Sequence, residues 1–75
     1  MPKMTPVATG VEFNENEMIV RLGDARTLSV PLEWFPRLKA ATPELRAQWR
    51  LIGAGVGIFW EALDEDISVS ALLVA

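Results

Sequence analysis

The sequence contains no histidine, no cysteine and no tyrosine among its 75 residues. Because histidine is the most common general base near neutral pH, its absence excludes Ser-His-Asp and Cys-His catalytic arrangements. The absence of cysteine excludes a thiolate nucleophile, a redox pair and structural zinc sites of the usual Cys/His type. Catalysis would have to depend on carboxylates, on Lys39 or on a Ser/Thr hydroxyl. We therefore expect a protein that is not an enzyme and that holds no cofactor and no metal.

Positive charge is scarce and scattered along the chain. Seven Lys and Arg residues face 10 Asp and Glu residues, which gives a net charge of −3 and argues against a general affinity for nucleic acid. Long hydrophobic runs are also missing, since the longest uncharged run, Leu51 to Trp60, has 10 residues and three glycines. No targeting segment is visible in Met1 to Pro6. We expect a cytoplasmic protein that does not bind membranes or, directly, nucleic acid.

Apolar residues, in contrast, are abundant. They make up 51% of the chain, and the mean hydropathy is +0.24. A chain of this length has room for one core and leaves a large fraction of its surface exposed to solvent. This apolar content is high for a lone small domain. We therefore expect part of the apolar surface to contact a partner chain, either a second copy in a homo-oligomer or another small protein.

From Thr9 onward, apolar residues alternate with polar residues in three successive segments. Residues 1–8 contain two prolines and are predicted to form a flexible tail, and residues 9–75 a single domain. Turn-forming residues at 14–17 and 23–26 separate the three segments. The pattern predicts a three-stranded antiparallel meander with one apolar face. The predicted inward-facing residues are Val11, Phe13, Met18, Val20, Leu22, Leu28 and Val30.

Two short helices are predicted between residues 31 and 48. Pro36 limits the first helix to one or two turns, because proline fits the first turn of a helix but not its interior. Thr42 and Pro43 are typical of the N-cap and first residue of a helix, which we expect to end near Gln48. Both helices are expected to cover one face of the sheet.

A second hairpin is predicted to follow. Residues 49–52 and 58–60 have strand character, and the glycine-rich segment 53–57 joins them. This segment lacks the residue spacing of phosphate-binding loops, so a hairpin turn is the favoured interpretation. A short C-terminal element then completes an α+β domain, and periodicity does not decide whether this element is a helix or a strand.

Asp64, Glu65 and Asp66 form the densest group of ionisable side chains. Their oxygen atoms are of the kind that binds Mg²⁺ or Ca²⁺. Consecutive residues point in different directions, however, and acidic residues ahead of an apolar segment commonly cap and begin a helix. We interpret the run as a helix start, with metal binding and partner recognition as the alternatives.

Three tryptophans are unusual in so short a chain: Trp34, Trp49 and Trp60. Core packing gains from such large apolar side chains, and tryptophan is also enriched at protein interfaces. We expect the indoles to lie mostly in the core, with at least one near an edge or interface. The candidate partner-interface residues are Trp34, Trp60, Leu72 and Leu73.

Two stretches of the chain resemble a known family. They are WRLIGAGVGIFW at 49–60, followed by Leu63–Val69 and Leu72-Leu73, and VPLEWFPRL at 30–38 with Ala41-Thr42. Together they are similar to the bacterial domain-of-unknown-function family number twenty-four forty-two, over about residues 7–74. The resemblance implies a small α+β domain, sometimes fused ahead of a helix-turn-helix domain. It also implies a gene often placed beside that of another small protein, as in a toxin–antitoxin pair, and no known catalytic residue.

The chain departs from that family pattern at two positions. Phe59 stands where members often have histidine, and Glu61 where they often have proline. The first departure favours a packing role at position 59. Because the sequence ends soon after Leu73, we expect no helix-turn-helix domain and no direct operator binding.

Our leading hypothesis is a non-enzymatic protein–protein interaction module, either a homodimer or one half of a heteromeric pair. In the heteromeric case, an antitoxin-like partner of a small neighbouring protein is the role we consider. The first alternative is a regulatory nucleic-acid-binding domain that uses the basic residues Arg37, Lys39, Arg46 and Arg50. The second is a carboxylate-based or metal-assisted hydrolase, in which Glu33 would act with Asp64 or Asp66.

Overall fold

The structure, a computed structural model, describes residues 6–74 and confirms an α+β fold. In order along the chain, the strands are β1 (Ala8–Phe13), β2 (Glu17–Leu22), β3 (Thr27–Pro31), β4 (Arg50–Ile52), β5 (Gly57–Trp60) and β6 (Glu65–Ser68). The α-helices are α1 (Pro36–Ala40), α2 (Pro43–Arg46) and α3 (Val69–Val74), and 3₁₀ turns occupy Leu32–Trp34, Gly53–Gly55 and Glu61–Leu63. Residues 1–5 of the predicted flexible tail lie outside the described residues, and β1 begins one residue ahead of the predicted domain start. No helix within residues 6–74 has the length and hydrophobicity needed to span a membrane.

The first sheet is the predicted meander, in the order β1-β2-β3 with both pairs antiparallel. Asn14 closes the first turn, because its Oδ1 atom accepts hydrogen bonds from the backbone N–H groups of Asn16 (2.9 Å) and Glu17 (2.8 Å). The predicted inward-facing set is confirmed. Five of its members are buried, and Phe13 and Leu28 are half-buried against the same core.

The second sheet has the order β4-β5-β6, again antiparallel, and its central strand β5 carries the fully buried Ile58. The predicted second hairpin is confirmed as β4 and β5. The C-terminal element, which periodicity left undecided, is a strand followed by a helix.

The predicted helix-start role of the acidic run is wrong. Asp64 lies in the turn before β6 with a left-handed backbone (φ 51°), and Glu65 and Asp66 belong to the strand itself. Ser68 caps α3 instead, since its Oγ atom accepts a hydrogen bond from the N–H of Ala71 at 3.4 Å. Pairing with β5 draws the acidic residues into the sheet, and local sequence preference does not show such long-range pairing.

The helical segment between the sheets follows its prolines. Pro36 is the first residue of α1. The helical conformation is interrupted at Phe35, between the Leu32–Trp34 turn and this helix. The predicted N-cap is confirmed, because the Thr42 Oγ1 atom accepts the N–H of Leu45 at 3.2 Å. α2 ends at Arg46, two residues before the predicted end.

Trp60 lies at the centre of the core. Its side chain is fully buried, its Nε1–H donates to the carbonyl oxygen of Arg46 at 2.9 Å, and its ring meets Phe13 edge-on with 6.4 Å between centroids. The prediction of Trp60 as a surface contact is therefore wrong, because the whole indole is buried and its N–H is already hydrogen-bonded within the chain. The complete core comprises Ala8, Val11, Met18, Val20, Leu22, Val30, Leu32, Leu38, Ile58, Trp60, Ile67 and Val69.

The two sheets meet closely at Gly55. This residue has a φ of +102°, and a Cβ atom placed on it would lie 2.5 Å from the carbonyl oxygen of Ala8. Only glycine combines that backbone conformation with so close an approach to another strand. The 3₁₀ turn between β4 and β5 therefore covers the beginning of β1.

Replacing Gly55 with alanine should lower the free energy of unfolding by at least about 1–2 kcal/mol, because the new methyl group meets both backbone strain and β1. Gly10→Ala is the matched control, since nothing lies within 4 Å of its added Cβ and its φ is not in the left-handed region. Urea denaturation followed by circular dichroism measures both. Equal stability of the two variants would contradict the close approach.

Trp60→Phe should destabilise the protein by about 1–3 kcal/mol, because it leaves the Arg46 carbonyl without its indole donor and opens a cavity. Trp34 is 53% exposed, and Trp34→Phe should therefore change the unfolding free energy by less than about 0.5 kcal/mol. The same urea titration tests the pair. A reversed order would contradict the assignment of Trp60 to the core.

Candidate functional site

Trp34 is held on the surface by the turn that contains it. In the Leu32–Trp34 turn, Leu32 is buried in the core, whereas Trp34 is directed outward and exposes about half of its surface. The cap residue Phe35 donates its N–H to the carbonyl oxygen of Leu32 at 2.9 Å, which fixes the turn. An indole held in one place with much of its surface open to solvent is a common anchor for a partner.

A groove of about 470 Å³ lies beside this indole. We call it the Trp34 groove, and it is lined by Trp34, Phe35, Asp66, Ile67, Ser68, Ala71 and Leu72. Two of the four predicted interface residues, Trp34 and Leu72, thus meet in one place. Leu73 is half-buried against the core and is not part of the lining, and Trp60 lies in the core.

The groove runs along the outer edge of β6. Neighbouring residues of a strand point to opposite faces, so a groove lined by Asp66, Ile67 and Ser68 together follows the strand's edge. The Val69 N–H donates to the Val56 carbonyl oxygen at 3.0 Å, so Val56 and Val69 are a hydrogen-bonded pair. Along the β5–β6 ladder, such pairs alternate with pairs whose backbone groups point away from the partner strand. By that alternation, the N–H and C=O of Asp66 and the N–H of Ser68 point away from β5.

Charge at this edge is acidic. Asp66 is the charged residue of the groove lining, and Asp64 and Glu65 precede it. Arg37 approaches the same turn, but its guanidinium donates to the backbone carbonyls of Leu63 and Asp64. Within residues 6–74, the ion pairs join Glu12 to Arg21, Asp24 to Arg26 and Glu33 to Lys39, and none involves the acidic run.

Within residues 6–74, the acidic run considered as a metal site does not bring its carboxylates together at one place. Glu65 and Asp66 lie on opposite faces of β6, as strand neighbours must. In the described part of the chain, no group of three or more acidic side chains is placed to hold an ion.

The carboxyl groups with a shifted pKa lie on the first sheet and its turns, away from the Trp34 groove. The hydrogen bond and charge of Arg21 hold the pKa of Glu12 below its usual value. The pKa of Asp24 is lowered mainly by a hydrogen bond from the backbone N–H of Arg26. Both shifts favour the charged form of a solvent-exposed group.

The four basic residues considered for nucleic-acid binding, three in the helical segment and Arg50 in β4, each have an intramolecular contact. Arg46 donates to the backbone carbonyls of Leu38 (2.7 Å) and Lys39 (2.8 Å), and the Lys39 ammonium lies 3.8 Å from Glu33. Arg37 holds the turn before β6, as described above. The Arg50 guanidinium lies over the half-buried Phe59 ring, 5.2 Å from its centroid, a packing contact at the position where the family resemblance expects histidine.

Two other depressions lie on the first sheet. One, of about 510 Å³, separates the edge of β1 from α2 and is lined by Val11, Glu12, Phe13, Asn14, Glu15, Pro43, Arg46, Ala47 and Trp49. The other, of about 690 Å³, is polar and is lined by Asn14, Glu15, Asn16, Glu17, Pro31, Leu32, Glu33 and Lys39. Neither contains a predicted interface residue.

Sequence reasoning missed the strand edge that forms the floor of the Trp34 groove. The available signal was the alternation of Ile67 and Val69 with Asp66, Ser68 and Ser70, which is typical of a half-buried strand. That signal competes with the spacing of Leu72 and Leu73, which belong to α3. Phe35, which also lines the groove, was missed as well.

Two solved structures are similar to this chain. A protein of unknown function from Rhodospirillum rubrum has 27% identity and a TM-score of 0.78, with 92% of this chain and 86% of that chain covered. An uncharacterized protein from Chromobacterium violaceum has 26% identity and a TM-score of 0.76, covering 91% of this chain and 64% of that one. No curated protein matches. Residues 8–75 match the family described as "Protein of unknown function (DUF2442)", and the chain belongs to this family.

Proposed function

We propose that the protein is a non-catalytic interaction module of the cytoplasm, which docks a second small protein in the Trp34 groove. The observation that carries this proposal is the indole of Trp34, 53% exposed beside an apolar groove. Tryptophan is among the residues that contribute most to protein–protein affinity when a partner covers them. Leu72 and Phe35 line the same groove and add apolar surface beside the strand edge.

A protein partner suits the groove because its lining combines apolar side chains with backbone groups. Trp34, Phe35 and Leu72 offer contact area, and the edge of β6 offers main-chain donors and acceptors. Peptide segments carry both kinds of complementary group at regular spacing. The lack of histidine and cysteine in the sequence favours binding over catalysis as the purpose of this surface.

The partner we propose is a small basic protein encoded beside this one, toward which the chain acts as an antitoxin does. The net charge of −3 and the acidic end of the groove would attract a basic surface. Self-association through the same groove is the competing arrangement, and the experiment below separates the two.

Co-expression with the neighbouring gene product, followed by affinity purification through a tag on that product, should recover the wild-type chain. Trp34→Ala should recover at least about tenfold less, because truncation of an interface tryptophan commonly costs 2 kcal/mol or more. Val56→Ala is the matched control, since Val56 is also an exposed apolar residue but does not line the groove. Equal recovery of Trp34→Ala and wild type would overturn the groove as the docking site.

Light scattering and growth assays complete the test. A chain that stays monomeric at high concentration and never co-purifies with its neighbour would overturn the interaction module itself. If the neighbour slows growth when expressed alone, co-expression of wild type should restore growth and Trp34→Ala should not. A neighbour that binds but has no effect on growth would overturn the antitoxin-like role and leave the docking intact.

A further inference from the structure

We infer that the partner enters the Trp34 groove as an extended, positively charged segment that adds to the outer edge of β6. This inference rests on the proposed function and specifies the chemistry of what binds. The occupant is a strand of a different protein, with a Lys or Arg side chain facing Asp66 and apolar side chains against Trp34 and Leu72. A second copy of this chain does not fit.

The backbone of β6 is available for such pairing. Within residues 6–74, β6 is the last strand of its sheet and pairs with β5 alone, and the Asp66 N–H and C=O and the Ser68 N–H point to the open side. Unpaired strand edges of this kind readily accept another strand. The opening is short. At one end Arg37 occupies the carbonyl of Asp64, and at the other the chain turns into α3 after Ser68.

The side chains around the edge match an alternating segment. Ile67 points toward the core face of β6, and Asp66 and Ser68 point to the opposite face. An added strand presents its own residues alternately to these two faces. Apolar residues on one face and cationic residues on the other would therefore meet complementary surfaces along the whole opening.

The negative charge at the β6 edge favours a different protein over a second copy of this chain as the occupant of the groove. Antiparallel self-pairing of β6 about a two-fold axis would place the two Asp66 side chains either directly opposite, about 5 Å apart, or diagonal, about 7–8 Å apart. Like charges at those positions oppose pairing, and Asp64 and Glu65 add further negative charge. A cationic residue at the same place gains an opposite charge.

The depression beside β1 also borders a strand edge, but it is less suitable for a cationic segment. The depression beside β1 has the guanidinium of Arg46 on its opposite wall, held over the ring of Phe13 at 6.0 Å. Glu12, on the same rim, is already paired with Arg21. The Trp34 groove has an acidic lining residue and no cationic one.

Three octapeptides test the inference by nuclear magnetic resonance titration of the full-length, isotope-labelled protein at low salt. They are an alternating Lys–Val peptide, its Glu–Val counterpart, and the Lys–Val peptide with alternate backbone nitrogens methylated. The Lys–Val peptide should shift the amide signals of Asp66 and Ser68 and the indole signal of Trp34. The Glu–Val peptide should not bind, and methylation should weaken binding at least about tenfold, because it removes the main-chain hydrogen bonds.

Asp66→Lys should weaken Lys–Val binding at least about tenfold and allow the Glu–Val peptide to bind. Glu61→Lys is the matched control, since it makes the same change of net charge outside the groove lining and should weaken binding less than about twofold. An equal effect of the two variants would show attraction by net charge alone and overturn the assignment to Asp66.

The remaining outcomes separate this inference from the proposed function. If the methylated peptide binds as tightly as its parent, or if the shifted amides are those of Val11 and Phe13, strand addition at β6 is wrong. Docking in the Trp34 groove would still stand if Trp34→Ala loses the co-purified neighbour. If Trp34→Ala keeps the neighbour, the proposed function fails whatever the peptides do.

Discussion

The hydrogen bond from the Trp60 indole to the carbonyl oxygen of Arg46 joins parts of the chain that are distant in sequence. Trp60 ends the central strand of the second sheet, and its ring packs against Phe13 of the first. Arg46 continues the connection, because its guanidinium donates to the carbonyls of Leu38 and Lys39 in α1. Two small sheets and two short helices, none stable alone, are thereby tied to one core.

This arrangement determines where the Trp34 groove forms. Leu32 and Leu38 are buried on either side of the break at Phe35, so the segment between them is fixed against the core. With both anchors buried, Trp34 is left outside, next to the edge of β6. The exposed indole is therefore presented by a rigid part of the fold, which lowers the entropy that binding a partner would cost.

The sequence pattern correctly predicted the elements that depend on interactions between neighbouring residues. The alternation of Met18, Val20 and Leu22 was enough to orient a strand with one buried face, and Thr42 was enough to begin a helix. The helix start predicted at the acidic run was wrong. Its composition favours a helix start, but this preference competes with the pairing of Glu65 to Trp60, a contact set by the whole fold. The prediction of Trp60 as an interface residue was wrong for the same reason, because its burial depends on contacts set by the whole fold. Its spacing of two residues from Ile58 had nevertheless placed the two side chains on one face of a strand.

The acidity of β6 has two consequences that come from the same atoms. Charged residues on an edge strand commonly prevent identical chains from pairing edge to edge. In the docking that we propose, Asp66 provides that protection, beside an apolar groove that would otherwise favour self-association. The same carboxylate, left without an ion-pair partner among the described residues, gives a cationic strand an advantage over a neutral one. An edge that disfavours its own copy and favours an opposite charge is what the heteromeric docking that we propose requires.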